Sequence, residues 1–321
     1  MGSLKNIAVF IADKIDITGI QILRKSGINV LEFPGLENNE LINKLSALPN
    51  FKIVLIIRST RKLGKKELKI IKKLGNVVLI CTASSGFDNI DTIYARRLKY
   101  KILNVPNGNY ISAAEHTLAV ILCILKNITA SNSLMKNGIF GNSEYTNQEL
   151  KGKIIGIIGV GRVGSYVARL CRQFGMKILG HDIKKSLKYK YRWIEFVSLS
   201  QILKRSDIIT VHTPLDESTK NLINRSKLLM MKKGSVLINC ARGGIVNEKA
   251  LIMSLKSRKL SYAGLDVFVN EPFFNKEFTK LDNVLLTPHL AGKSRESKVR
   301  ISVQLAQNIL MFINKYEKLF N

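Results

Sequence analysis

Residues 153–182 read KIIGIIGVGRVGSYVARLCRQFGMKILGHD, and this stretch decides how the rest of the chain is interpreted. An apolar run (Ile154, Ile155, Ile157, Ile158) enters Gly159-Val160-Gly161-Arg162-Val163-Gly164. It leaves in a helix-period pattern of Val163, Val167, Leu170, Cys171 and Phe174. A second apolar run, Met176 to Leu179, leads to Asp182. Strand, glycine loop, helix, strand and acid stand in the order that a dinucleotide-binding βαβ unit needs.

Each part has a physical task. Gly159 permits the tight turn, Gly161 lets the backbone approach a pyrophosphate, and Gly164 lets the helix lie close to the strand. The N–H groups that open the helix, at Arg162 and Val163, and the helix dipole favour the negative charge. Asp182 can accept hydrogen bonds from both hydroxyls of the adenosine ribose and repels a 2'-phosphate, so NAD is expected over NADP. Lys184 and Lys185 follow closely and leave room for some use of NADP. A glycine turn that binds nothing is the bland alternative, and the surrounding strand, helix and acid argue against it.

The 321 residues are enough for about two domains. A hydrophobic share of 46% and a charged share of 23% are ordinary globular values, so neither disorder nor a membrane bundle is expected. No apolar run nears the roughly 20 residues of a membrane helix, since Lys126 ends the longest, Leu118 to Leu125. The N-terminus lacks a signal-peptide pattern, and Met1-Gly2-Ser3 lacks the Ser or Thr at position 6 that myristoylation favours. A cytoplasmic protein is expected. Cys81, Cys123, Cys171 and Cys240 lie in apolar runs without paired spacing, which reads as reduced packing thiols, with no metal site expected.

The charge is unusual: 51 Lys and Arg against 23 Asp and Glu give +28. Nucleic acid, an anionic membrane or acidic metabolites could balance it. The lysines are scattered over the surface helices, and no basic tract interleaved with aromatics stands out, so nucleic-acid binding is not expected.

Residues 6 to 104 alternate strands (Ile7–Ala12, Ile28–Phe33, Ile53–Arg58, Val77–Thr82, Ile102–Val105) with helices (Ile15–Ser26, Glu40–Leu48, Lys65–Leu74, Ile90–Lys99). This pattern predicts a parallel sheet covered by helices on both faces, with ligands beyond the strand C-termini. Arg58-Ser59-Thr60-Arg61-Lys62 follows one such end and can hold an anion by guanidinium and hydroxyl. Ser84-Ser85-Gly86-Phe87 follows another and can offer successive backbone N–H groups to a carboxylate. Val105 to Asn109 is a turn cluster and a plausible hinge. Ser112 and Glu115 then stand at capping-box spacing before an apolar helix to about Asn127, the best candidate for a dimer interface.

After the glycine loop, strands are expected at Trp193–Val197, Ile208–His212, Ser235–Asn239, Ala263–Val267 and Val284–Leu286, for a second sheet of about six strands. A final helix, Ser294–Lys315, should return to the first domain. Three polar residues sit at or beyond strand ends: Arg242, Glu271 and His289. Oxidation of a 2-hydroxy acid needs a base for the hydroxyl proton and a cation for the carboxylate. His289 can be the base, with Glu271 orienting its ring. Arg242 can fork onto the carboxylate and stays charged at any working pH.

The segments NGNYISAAEHT, GIIGVGRVG, HTPL, NCARGGIV, GLDVFVNEP and NVLLTPHLAG occur in this order, and the chain resembles the D-2-hydroxyacid dehydrogenase family along nearly its whole length. The resemblance implies an α/β fold of two doubly wound domains. A flavodoxin-like substrate-binding domain (1–104 and 292–321) would hold an inserted Rossmann NAD-binding domain (105–291), with a cleft closing between them and a homodimer joined through the NAD-binding domains. It implies the catalytic set Arg242, Glu271 and His289. It also implies cofactor contacts from Gly159, Gly161, Arg162, Val163, Gly164, Asp182, His212, Thr213, Pro214, Cys240, Ala241, Asp266 and Gly292, with Asp266 on the nicotinamide amide. Substrate contacts are implied for Arg58, Ser59, Ser85, Gly86, Asn109 and Arg242.

Within the family the likeness is nearest to the 3-phosphoglycerate dehydrogenase branch of serine biosynthesis, carried by Arg58-Ser59, Phe87-Asp88-Asn89-Ile90-Asp91, Pro106-Asn107-Gly108-Asn109 and Asn239 to Val246. Arg58, Arg61 and Lys62 are the cations available for a substrate phosphate. Thr82 stands where many of these enzymes carry an arginine, and the chain stops at Asn321, so feedback through a C-terminal ACT domain is not expected. A hydroxypyruvate, glyoxylate or other D-2-hydroxyacid reductase is the neighbouring expectation. A non-enzymatic NAD-binding co-regulator is the distant one.

Overall fold

The computed structural model describes residues 6–140 and 146–315. The chain divides into two units, Met1–Asn109 with Lys293–Asn321 and Tyr110–Gly292. The division after Asn109 falls at the end of the turn cluster that the sequence marks as a hinge.

In the first unit the elements run β1 (Ile7–Ile11), α1 (Ile17–Lys25), β2 (Asn29–Glu32), α2 (Asn38–Ser46), β3 (Lys52–Ile57), α3 (Lys65–Leu74), β4 (Val77–Thr82), α4 (Thr92–Arg97) and β5 (Lys101–Leu103). The five strands are parallel in the order β2-β1-β3-β4-β5, the flavodoxin-like arrangement. Successive side chains of β1 point to opposite faces. Ile7, Val9 and Ile11 enter one apolar cluster, and Phe10 and Ala12 enter the other. Helices cover both faces, which is why the central strands read as unbroken apolar runs.

The second unit runs α5 (Tyr110–Leu125), α6 (Ile128–Lys136), β6 (Ile154–Ile158), α7 (Arg162–Gln173), β7 (Lys177–His181), α8 (Leu187–Lys190), β8 (Glu195–Phe196), α9 (Leu199–Arg205), β9 (Ile208–Val211), α10 (Arg225–Met230), β10 (Ser235–Asn239), α11 (Glu248–Lys256), β11 (Leu260–Leu265) and β12 (Val284–Leu286). Its parallel sheet has seven strands, not about six, in the order β12-β11-β10-β9-β6-β7-β8. Counted from β6, this is the Rossmann order with one strand added. The chain reverses direction across the sheet between β6 and β9, so the glycine loop after β6 lies beside the end of β9.

The last helix, α12 (Arg295–Lys315), belongs to the first unit and packs on α1. The Ser302 hydroxyl donates to the Asp16 carbonyl at 2.6 Å. A side chain at Gly19 would overlap Ser302, so glycine sets how closely the two helices approach.

Several element ends differ from expectation for identifiable reasons. Asp16 caps α1 and Asp91 caps α4 through their carboxylates, so both helices begin later than the apolar periodicity suggests. Ser112 is no cap. α5 starts two residues before it, and its buried hydroxyl donates to the Ala291 carbonyl at 2.7 Å. No single helix among the described residues is long and apolar enough to cross a membrane.

Candidate functional site

The glycine loop of the second unit has the geometry its residues imply. Gly159 adopts φ +90°, which an L side chain rarely takes, and a Cβ there would lie 2.7 Å from the His212 carbonyl oxygen. A Cβ on Gly164 would overlap the carbonyl oxygen of Gly159, so only glycine allows α7 to start this close to β6. At Gly161 a Cβ would meet nothing within 4 Å, and Gly161 and Arg162 are exposed. The loop therefore opens its backbone, and the N-terminus of α7, to an outside ligand.

Asp182 is held against this loop. Its Oδ2 accepts from Val160 N at 2.8 Å and its Oδ1 from Lys184 N at 2.8 Å. Each oxygen keeps a further lone pair for a ribose hydroxyl. At the end of β9, the His212 ring lies 3.0 Å from Thr210 Oγ1, and burial pushes its pKa down to about 3, so it is neutral at working pH. Thr213 Oγ1 is buried without a hydrogen-bond partner among the described residues, and the Thr213 methyl group lines the Gly159 turn. An orphaned hydroxyl beside an open glycine loop is a polar group awaiting a partner, and the donor set fits a dinucleotide. Pro214 is exposed beyond it.

The next strand ends carry the polar residues. Asn239, closing β10, donates to the Arg242 carbonyl at 3.0 Å and accepts from Ala241 N at 3.1 Å, which fixes the turn over Cys240 and Ala241. The Arg242 guanidinium donates to the Ala241 carbonyl at 2.7 Å. Burial, with the Asp266 charge added, pushes the Cys240 thiol up to about 12. It is an inert packing group. A Cβ on Gly243 would overlap the Phe268 backbone, so the loops after β10 and β11 meet backbone to backbone.

Glu271 and His289 face one another. His289 Nδ1 lies 2.6 Å from Glu271 Oε2, while Glu271 Oε1 accepts from Phe268 N at 3.0 Å. Burial raises the Glu271 pKa. The hydrogen bonds from His289 and Phe268 and the charges of His289 and Arg242 outweigh it, leaving the carboxyl below its usual range. An ionised carboxylate only accepts, so Nδ1 carries the proton and a neutral ring presents a bare Nε2. The His289 side chain is 42% exposed, so this nitrogen is open to a ligand.

Asp266, expected on the nicotinamide amide, has no exposed surface. Its carboxylate accepts from Leu290 N at 2.7 Å, Ala291 N at 2.8 Å and the Thr287 hydroxyl at 2.6 Å. In this structure it anchors the loop that carries His289. Gly292 ends the unit.

The first unit places its candidate residues at the ends of β3 and β4. Asn89 donates to the carbonyls of Arg58 and Arg61, each at 3.0 Å, and so ties the two loops. The backbone N–H groups of Ser85 and Gly86 donate to no group among the described residues, as an anion-binding loop requires. Arg61 departs from expectation. It is 8% exposed and pairs with Asp13 at 2.8 Å, with further bonds to Asn38, Ala12 and Leu36, so its guanidinium is committed to the fold. The guanidinium of Arg58 and the amine of Lys62 have no hydrogen bond or ion pair among the described residues, and neither do the side chains of Ser59 and Asn109.

Sequence reasoning passed over Asn239, Thr287 and His116. All three lie inside motifs it quoted, but Asn239 holds the turn after β10, and Thr287 meets Asp266 and His116 side chain to side chain, contacts that only coordinates reveal.

Residues 118–291 match the family model described as D-isomer specific 2-hydroxyacid dehydrogenase, NAD binding domain. A D-3-phosphoglycerate dehydrogenase of Sus scrofa is 37% identical over 300 residues, covering 93% of this chain and 55% of that protein. The chain thus spans about half the length of the curated relatives it matches. Among solved structures, a glyoxylate reductase from Paecilomyes thermophila superposes with a TM-score of 0.87 at 25% identity, covering 98% of this chain and 97% of that one. D-lactate dehydrogenase from Aquifex aeolicus, complexed with NAD and lactic acid, gives a TM-score of 0.80 at 28% identity, with 97% and 96% covered. The chain belongs to the D-isomer specific 2-hydroxyacid dehydrogenase family.

Proposed function

We propose that the protein is an NAD-dependent dehydrogenase that oxidises D-3-phosphoglycerate to 3-phosphohydroxypyruvate, the entry step of serine biosynthesis. The observation that carries the chemistry is the 2.6 Å contact between His289 and Glu271, in the same unit as an intact glycine loop. NAD, when held by the glycine loop and Asp182, would supply the hydride acceptor for C2 of the substrate. His289 Nε2 takes the hydroxyl proton, and Glu271, ionised and held by Phe268 N–H, keeps Nδ1 protonated and stabilises the imidazolium that results. Arg242 pairs with the substrate carboxylate and polarises the C2 oxygen. Gly159, Gly161, Gly164 and the start of α7 receive the pyrophosphate, and Asp182 receives the ribose. Further cofactor contacts are assigned to Thr213, His212, Pro214, Cys240, Ala241 and Gly292. Asp266 reaches the cofactor only through the loop it anchors.

Recognition of the substrate's anionic groups is assigned to Arg58, Ser59, Asn109 and the N–H groups of Ser85 and Gly86. The relatives named D-3-phosphoglycerate dehydrogenase support the phosphorylated substrate. The commitment of Arg61 to Asp13 favours a second reading, a reductase of hydroxypyruvate or glyoxylate, because it leaves fewer cations for a phosphate. Steady-state turnover on D-3-phosphoglycerate, hydroxypyruvate and glyoxylate separates the two. The first reading requires efficient use of the phosphorylated acid, and turnover of the keto acids alone supports the second. We also propose a cytoplasmic homodimer joined through α5 and α6. α6 buries none of its residues, and Ile128, Met135, Ile139 and Phe140 are 50%, 54%, 50% and 90% exposed.

A further inference from the structure

We infer that His116 is a positioning residue for His289, acting through Thr287 and Asp266. The inference rests on the role proposed for His289. His289 has φ +53°, a left-handed conformation unfavourable for a residue with a Cβ, so something must hold it there. Asp266 does so. Its carbonyl accepts from His289 N at 2.9 Å, and its carboxylate takes the next two backbone N–H groups and the Thr287 hydroxyl. A carboxylate with no exposed surface needs its oxygens and their donors held by hydrogen bonds within the fold. His116 reaches the same cluster from α5, with Nε2 3.5 Å from Asp266 Oδ1.

The proton arrangement follows from the donors. Thr287 has a single hydroxyl proton, and the 2.6 Å contact commits it to Asp266. Its oxygen must then accept from His116 Nε2, 3.2 Å away, so that nitrogen is protonated. One turn earlier on α5, Ser112 donates to the Ala291 carbonyl, at the other end of the same loop. α5, the first helix of its unit, therefore grips the His289 loop at both ends. His116 touches none of the reacting atoms and acts on them only through this loop.

The chain has four histidines, His116, His181, His212 and His289, so ¹⁵N-histidine NMR can resolve each ring after single replacements. The wild type should show His116 as the Nε2-protonated tautomer. His116→Leu should shift the His289 ring resonances and lower kcat about threefold to tenfold, the value of a hydrogen bond between neutral groups, with KM nearly unchanged. His116→Gln, whose side-chain amide can replace the Nε2 donor, should restore most of both. A His116 ring without a proton on Nε2, or His289 resonances and kcat unmoved in His116→Leu, would overturn the inference. So would a His116→Gln protein as slow as His116→Leu. If His116→Leu does not fold, the tautomer and the Gln variant still decide. If the wild type turns over none of the hydroxy or keto acids while the His289 resonances respond as stated, the proposed function fails and the positioning link stands.

Discussion

At the scale of single residues, neighbouring cations of the first unit have different tasks. Arg61 lies in a buried ion pair and Arg58 does not, so replacement should separate stability from binding. Arg61→Gln should destabilise the fold by about 3–5 kcal/mol, the usual consequence of leaving a buried partner unpaired. Arg58→Gln should leave the melting temperature in place and raise KM for a phosphorylated substrate. Thermal denaturation and kinetics on the two variants check this. His212 adds a pH effect. Burial lowers its folded pKa to about 3, against about 6.5 in the unfolded chain, so between those values the unfolded state binds the extra proton. Stability contributed by the neutral ring is full above pH 6.5 and declines by about 1.4 kcal/mol per unit below it. Denaturant midpoints measured from pH 7 to pH 5 should fall less steeply for His212→Gln than for wild type. The roles of Arg58 and Arg61 were not separable in the sequence, because both follow the same strand and only Asp13, 45 residues or more earlier, distinguishes them.

At the scale of elements, the glycine loop carries the sharpest expectation. Gly164→Ala forces a methyl group into the Gly159 carbonyl, so α7 must move off β6. This should cost about 1–3 kcal/mol of stability and weaken NAD binding, as calorimetry and titration with NAD would register. This loop was legible because glycine is required there by backbone contact, and the requirement leaves its mark in the residues themselves. The central strands were legible because burial on both faces leaves unbroken apolar runs, as in Ile53–Ile57. Less legible were features set by distant partners. Ser112 and Glu115 have capping-box spacing, yet the Ser112 hydroxyl bonds to Ala291. The strand expected over Trp193–Val197 shortens to two residues because Ile194 N turns back to the Tyr191 carbonyl. His289, Glu271 and Arg242 could be named from their motifs. The net of Asp266, Thr287 and His116 could not, since nothing in their spacing says which side chains meet.

At the scale of the whole molecule, the family membership and the two parallel sheets account for the fold. The exposed apolar side chains of α6 lead to a further expectation. Sedimentation equilibrium should give twice the mass of the chain, and Ile128→Lys with Met135→Lys should shift it toward the monomer. The measurement that bears most directly on the proposed chemistry is formation of NADH, followed by absorbance, from NAD and D-3-phosphoglycerate, with consumption of NADH by hydroxypyruvate and glyoxylate run alongside. The wild type should turn over at least one of these, and His289→Ala should lower kcat by about 10²–10⁴-fold, the contribution of a general base. Absence of turnover on all three, or a His289→Ala protein as fast as wild type, would contradict the account.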